Sequence, residues 1–162
     1  MQEDTVLRNE LLNLLLGGQA HMGLKAAENF PSEHYNSRPP HVEYTFWHLL
    51  EHIRFAQEDI IEYIRSANYL EKQWPQDYWP ASAAVCDAAG WHASLQAIRE
   101  GLTWLETLIT SSQIDLQAGL PYAPDHTYLR EILLVADHNA YHLGELAILR
   151  QVMGLWHPDR ST

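Results

Sequence analysis

Apolar residues recur along the chain at the three- and four-residue spacing of helices, in four stretches parted by proline- or glycine-bearing breaks. The first stretch, residues 6 to about 28, carries Leu7, Leu11, Leu12, Leu14, Leu15 and Leu24 and predicts helix one. Gly17 and Gly18 lie inside it and each costs about 1 kcal/mol relative to Ala, so the helix is expected to bend there or pack closely on a neighbour. Pro31, Pro39 and Pro40 then mark a linker that cannot be helix. Helix two is predicted over about 43–67, with Phe46, Leu49, Leu50, Ile53, Ile60, Ile61 and Ile64 as its stripe and Thr45 as an alternative cap. Helix three is predicted from the N-cap Asp87 through Trp91, Leu95, Ile98, Leu102, Leu105 and Leu108 to about residue 110. After a break at residues 119–124, helix four runs from near Thr127 through Ile132, Ala136, Ala140, Leu143 and Leu146 to about residue 153, where Gly154 is a stop signal.

No stretch alternates long enough to predict a strand, so the pattern implies an all-α four-helix bundle. Its 162 residues are the size of one domain, and residues 1–162 are read as a single unit. The connection between helices two and three, residues 68–85, could span the bundle at about 3.3 Å per residue and so permits parallel helices two and three. It carries Tyr69, Trp74, Tyr78 and Trp79, which suits an ordered connection or a lid better than a flexible tether.

Charge narrows the class of partner. Ten basic residues against 21 acidic ones give a formal net charge of -11, which repels a phosphate backbone, so nucleic acid is not an expected partner. No apolar run approaches the roughly 20 residues that cross a bilayer, and the amino-terminal residues do not read as a secretory signal. A cytoplasmic protein is expected. The lone Cys86 has no CxxC partner and no local basic activator, and reads as structural. Six Trp and eight Tyr exceed ordinary core needs and fit either a pocket or subunit interface or core padding; Trp91 and Trp104 carry the same pair of readings.

The candidate chemistry lies in histidine. His138 and His142 are four residues apart within helix four and stack on one face, an arrangement that clamps one metal ion through neutral imidazole nitrogens at about 2.0–2.1 Å for zinc. Helix two offers His52, at a depth that brings it level with that pair, and His48 one turn earlier on the same face. His52 is preferred because Leu49 and Ile53 flank its side; His48 remains a co-ligand or a hydrogen-bonding neighbour of the site. Three histidines leave positions open for water or substrate, as catalytic sites do. Glu145, three residues after His142, could orient an imidazole or accept a proton from water at the metal; otherwise it is a solvated helix residue. Glu51 and Asp137 point away from their neighbouring histidines. His21 and His92 fall on helices and either approach the bundle interior or take a pocket or surface role, and His34, His41, His126 and His157 fall near helix ends or in connections. The absence of H-E-x-x-H, of Glu-x-x-His pairs on the helices and of a phosphate loop removes metallopeptidase, di-iron and nucleotide readings.

The segment from Thr45 to Ile53, followed far downstream by Ala136, Asp137, His138, Asn139, Ala140, Tyr141, His142, Leu143, Gly144 and Glu145, resembles the DinB-like superfamily. The H-x3-H-x-G phrase ending at Gly144 is the most specific part, and the family's histidine of helix two matches His52. The resemblance implies an up-down-down-up bundle, a nickel or zinc ion on three histidines, and frequent homodimers. Some relatives are thiol-dependent transferases or isomerases and others resemble hydrolases. The expectation for this chain is therefore a metal-dependent enzyme that activates water or a low-molecular-weight thiol for a small-molecule substrate. The alternative is a metal- or ligand-binding bundle without catalysis.

Overall fold

The computed structural model describes residues 2–17 and 23–156. Four long helices are present: α1 (Gln2–Leu15), α2 (Phe46–Arg65), α3 (Ala88–Thr110) and α4 (Tyr128–Val152). The starts of α2, α3 and α4 follow from side-chain caps. Thr45, Asp87 and Thr127 each adopt extended backbone and accept from the backbone N–H three residues on, at His48, Gly90 and Arg130. The first N–H groups of α2 are further met by the linker, with Phe46 N donating to Ser37 O and Trp47 N to Tyr35 O. Gly154, with φ +66°, ends α4 in the left-handed conformation that glycine adopts without strain.

Two boundaries depart from the sequence pattern. The first helix stops at Leu15 rather than near residue 28, because Gly17 takes φ +84°, and Leu24 belongs to a separate 3-10 turn, Gly23–Ala26. Gly18 and His21 lie outside the described residues, as does His157. Helix two begins at Phe46, three residues later than the pattern suggested, with Thr45 as its cap. A short antiparallel pair is present where no strand was predicted: β1 (Gly119–Leu120) against β2 (Ala123–Thr127). A two-residue strand is too short to show alternation. It is held instead by the buried Leu120 and by Gly119, where any Cβ would overlap the Pro124 carbonyl.

Side-chain contacts give the helix directions. Glu51 meets Ser94, Gln57 reaches Ile98 O, and Arg65 lies over Trp104, so α2 and α3 run parallel. His52 approaches His142, Gln57 bonds Asn139, and Tyr63 bonds His126 just before α4, so α2 and α4 are antiparallel. Arg8 of α1 donates to carbonyls at the end of α3, at Ile109 and Ser111, while Leu15 sits near Leu102, making α1 antiparallel to α3. The order is up-down-down-up, and the connection between α2 and α3 travels back along α2.

The core falls into two apolar clusters. One contains Phe30, Phe46, Leu49, Leu50, Ile53, Trp91, Leu95, Ile98 and Leu146. The other contains Leu11, Leu15, Ile61, Ile64, Leu105, Ile109, Ile132 and Val135. Between them lies a buried amide pair: Asn139 Nδ2 donates to Gln57 Oε1 at 2.8 Å, and Gln57 Nε2 donates to Ile98 O at 2.9 Å. The histidines of α2 and α4 sit beside this pair.

Candidate metal centre

His52 projects from the middle of α2, and His138 and His142 from successive turns of α4. Their Nε2 atoms converge: His52 to His142 is 3.2 Å and His138 to His52 is 3.3 Å. One ligand atom from each of the three residues lies within 4.8 Å of the others. Nitrogens at about 2.0–2.1 Å from one tetrahedral ion would stand about 3.3–3.4 Å apart, so the observed spacing fits a shared divalent ion.

The remaining ring nitrogens favour the same reading. His52 Nδ1 lies 2.8 Å from Tyr78 O, and a carbonyl can only accept, so Nδ1 carries the proton and Nε2 a lone pair. His142 Nδ1 likewise donates to Glu145 Oε2 at 2.8 Å. Two bare nitrogens 3.2 Å apart have no proton to share, and a cation between them relieves their repulsion. These are the orienting partners that metal-bound imidazoles usually have. His138 differs, because its buried Nδ1 has no hydrogen-bond partner among the described residues.

Burial favours the neutral form of His52 and His138. Burial, then the neighbouring His142 and His52, pushes His138 down to about 4, against a weaker opposing effect of the Asn139 amide. Burial also lowers His52, although the Tyr78 carbonyl and Glu145 act the other way and His142 acts with it. Burial would raise Glu145, but hydrogen bonds from His142 and Tyr44 and the nearby imidazoles outweigh it, so its carboxylate titrates below the usual range. Tyr44 donates to Glu145 Oε1 and is driven well above the ordinary phenol value, by burial first and then by that bond.

Aromatic rings frame the cluster. Trp79 stacks on His52 at 4.0 Å and 4°, Tyr44 tilts against Trp79 at 5.2 Å, and Tyr141 meets His142 edge-on at 4.8 Å. His52 is 2% exposed, whereas the side chains of His142 and Glu145 are 15% and 25% exposed, so the cluster opens on the α4 side.

The structure thus brings together His52, His138, His142 and Glu145. It turns His48 away: the buried ring lies 2.8 Å from Ala84 O. Glu51 forms a bidentate pair with Arg54 and accepts from Ser94, and Asp137 is exposed. His34 bonds Ser37, His92 bonds Ala88 O, His126 bonds Tyr63, and His41 is exposed in the linker with φ +66°. Trp91 is core, stacked on Tyr35 at 4.3 Å, and Trp104 lies under Arg65. Cys86 is pushed up to about 11, by burial and then by Asp87 and Glu51, and so remains a thiol. Sequence reasoning missed Tyr44, and read Tyr78 and Trp79 only as part of an ordered connection or lid, without assigning either a contact in the cluster. Tyr44 carried a usable signal, one residue before the α2 cap and therefore at the histidine end of that helix, whereas a backbone carbonyl such as that of Tyr78 carries none.

No curated protein and no solved structure matches this chain. A family model described as the DinB superfamily matches it over residues 16–146. With that match spanning α2, α3 and all three clustered histidines, the chain belongs to the DinB superfamily.

Proposed function

We propose that this chain is a divalent-metal-dependent enzyme acting on a small molecule, with His52, His138 and His142 as the ligands. The observation that carries it is the convergence of three Nε2 atoms beside an opening to solvent. When bound, a divalent ion supplies a Lewis acid that activates water or a thiol, giving hydrolysis or thiol transfer respectively. Nickel and zinc both suit an all-imidazole donor set. In this reading the Tyr78 carbonyl and the Glu145 carboxylate hold two of the rings in the binding tautomer, while Trp79 keeps water from one face of His52. Glu145, ionised at neutral pH and partly exposed, is the group that receives a proton during the reaction; Tyr44 holds it in place.

The chain as a whole, residues 1–162, is read as one domain. No helix among the described residues is long and apolar enough to cross a membrane, and the net charge of -11 speaks against nucleic acid. A cytoplasmic setting is part of the same reading. An outer stripe on α4, with Tyr141, Ile148 and Val152 at 71%, 66% and 63% exposed, supports a homodimer.

Metal-edge anomalous diffraction tests the ligand set, using crystals of untagged protein grown without added metal and a second set after reconstitution. One ion on the three histidines with an exchangeable water beside it supports the enzyme and leads to assays with water- and thiol-dependent substrates. A filled, closed shell would make the chain a metal-binding protein without catalysis. No uptake after reconstitution would remove the metal reading.

A further inference from the structure

Asp59 is a carboxylate only 6% exposed, on α2 seven residues after His52, and the chemistry proposed above makes no use of it. Burying an ionised carboxylate is costly unless donors surround it. Its donors all come from the connection between α2 and α3. Tyr69 OH lies 3.0 and 3.2 Å from the two carboxylate oxygens, Tyr78 OH lies 2.6 Å from Oδ2, and Lys72 Nζ lies 3.7 Å from Oδ1. Charge-assisted bonds of this kind are shorter and stronger than neutral ones.

Tyr78 links this carboxylate to the metal centre. Its hydroxyl donates to Asp59, while its carbonyl oxygen accepts from His52 Nδ1 at 2.8 Å. The next residue, Trp79, lies flat on the same imidazole. Asp59 and His52 are the two α2 side chains to which residues 68–80 bond, among the described residues. The connection is thus pinned at one end by a charge and rests at the other on a metal ligand.

We propose that Asp59 is a positioning residue for the metal centre: by fixing the Tyr78 hydroxyl it holds the Tyr78 carbonyl and the Trp79 ring against His52. This rests on the three-histidine reading above. It sets the orientation and tautomer of His52 from two turns away, without touching metal or substrate. A mere tether would affect how firmly the connection is held; a positioning residue also changes how well His52 binds.

The test uses the full chain, stripped of metal, with zinc and in parallel nickel titrated against a chromophoric chelator. Wild type is compared with Tyr78→Phe, Asp59→Asn and Tyr69→Phe, and the His52 Nδ1–H resonance is followed by NMR in each metal-free protein. Tyr78→Phe and Asp59→Asn are expected to weaken binding by about tenfold or more, the usual scale for partners of a metal-bound histidine, and to shift that resonance. Tyr69→Phe, which loses a bond to Asp59 from a residue that does not touch His52, is expected to do far less. Should Asp59→Asn fail to fold, the milder Tyr78→Phe decides. Wild-type affinity and an unshifted resonance in Tyr78→Phe would overturn the proposal, as would equal losses in all three variants that track their urea stability. If wild type takes up neither metal, the three-histidine reading itself falls; if wild type binds and the variants match it, only the role of Asp59 does.

Discussion

Replacing Gly101 by Ala tests the buried amide pair that separates the two halves of the core. In an open helix this change is favourable by about 1 kcal/mol. Here a Cβ at position 101 would overlap Gln57 Nε2 and meet Ile61 Cδ1 at 3.0 Å. A long side chain can usually swing aside, but Gln57 is 1% exposed and held at both ends, by Ile98 O and by Asn139 Nδ2. Moving it costs about 1 kcal/mol for each buried hydrogen bond lost, and more where a polar atom is left without a partner. Overpacking adds about 1–3 kcal/mol. With the helix gain subtracted, the expected net loss is roughly 1 to 4 kcal/mol. In a Gln57→Ala background the severe overlap is gone and only the end of the Ile61 side chain must give by a few tenths of an ångström, so the same Gly101→Ala change should be far less costly and stabilise by at most about 1 kcal/mol. Urea unfolding of the four proteins of this double-mutant cycle, followed by far-ultraviolet circular dichroism, measures both effects. A Gly101→Ala change with the same sign and size in both backgrounds would refute the steric account.

His48→Gln is expected to retain metal binding while His52→Ala abolishes it, because the His48 ring is committed to Ala84 O; equilibrium dialysis with metal analysis decides, and loss in both would restore His48 to the site. Glu145→Gln removes the charged acceptor of His142 Nδ1 and should weaken metal binding by about 10- to 100-fold, read by chelator competition. In the metal-free protein, His138 is held down to about 4 in the folded state and protonates near 6.5 once unfolded, so the unfolded chain binds more protons between these values. Stability should therefore be unaffected by this group above about pH 6.5 and fall as pH drops from there toward 4; the urea midpoint should decline from pH 7 to pH 5 in wild type and decline less in His138→Asn. Thr45→Ala should cost about 1 kcal/mol of stability through loss of the α2 cap, measured by the same unfolding curves.

Much of the architecture was legible because local chemistry and burial agree along the chain. Asp87 and Thr127 mark helix starts in the sequence and cap them in the structure, and Gly154 marks an end. The i, i+4 spacing puts His138 and His142 on one face, and the overhand connection permitted by its length is present. Spacing could not separate His48 from His52, which share a face; the choice depends on Ala84 O and Tyr78 O, backbone atoms with no signature in sequence. Leu24 extended the leucine pattern of helix one because a half-buried leucine packed on the core from a 3-10 turn looks the same in sequence as one in a helix. The acceptor role of Asp59 was equally hidden, since its partners are set by the path of a connection that no periodicity describes.

The amide pair of Gln57 and Asn139 has a consequence for how α2 and α4 align lengthwise. Two helices meeting only through leucine and isoleucine can slide by a turn, about 5.4 Å, and find another set of apolar neighbours. A single polar contact inside such an interface forbids the slide, since either shifted alignment would leave both amides facing hydrocarbon. His138 is adjacent to Asn139, and His52 lies five residues from Gln57, so the alignment that satisfies the amides is the one that levels the imidazoles. The pair works as an alignment mark: it fixes the longitudinal position of two helices to within less than a turn, which a site built from both of them requires.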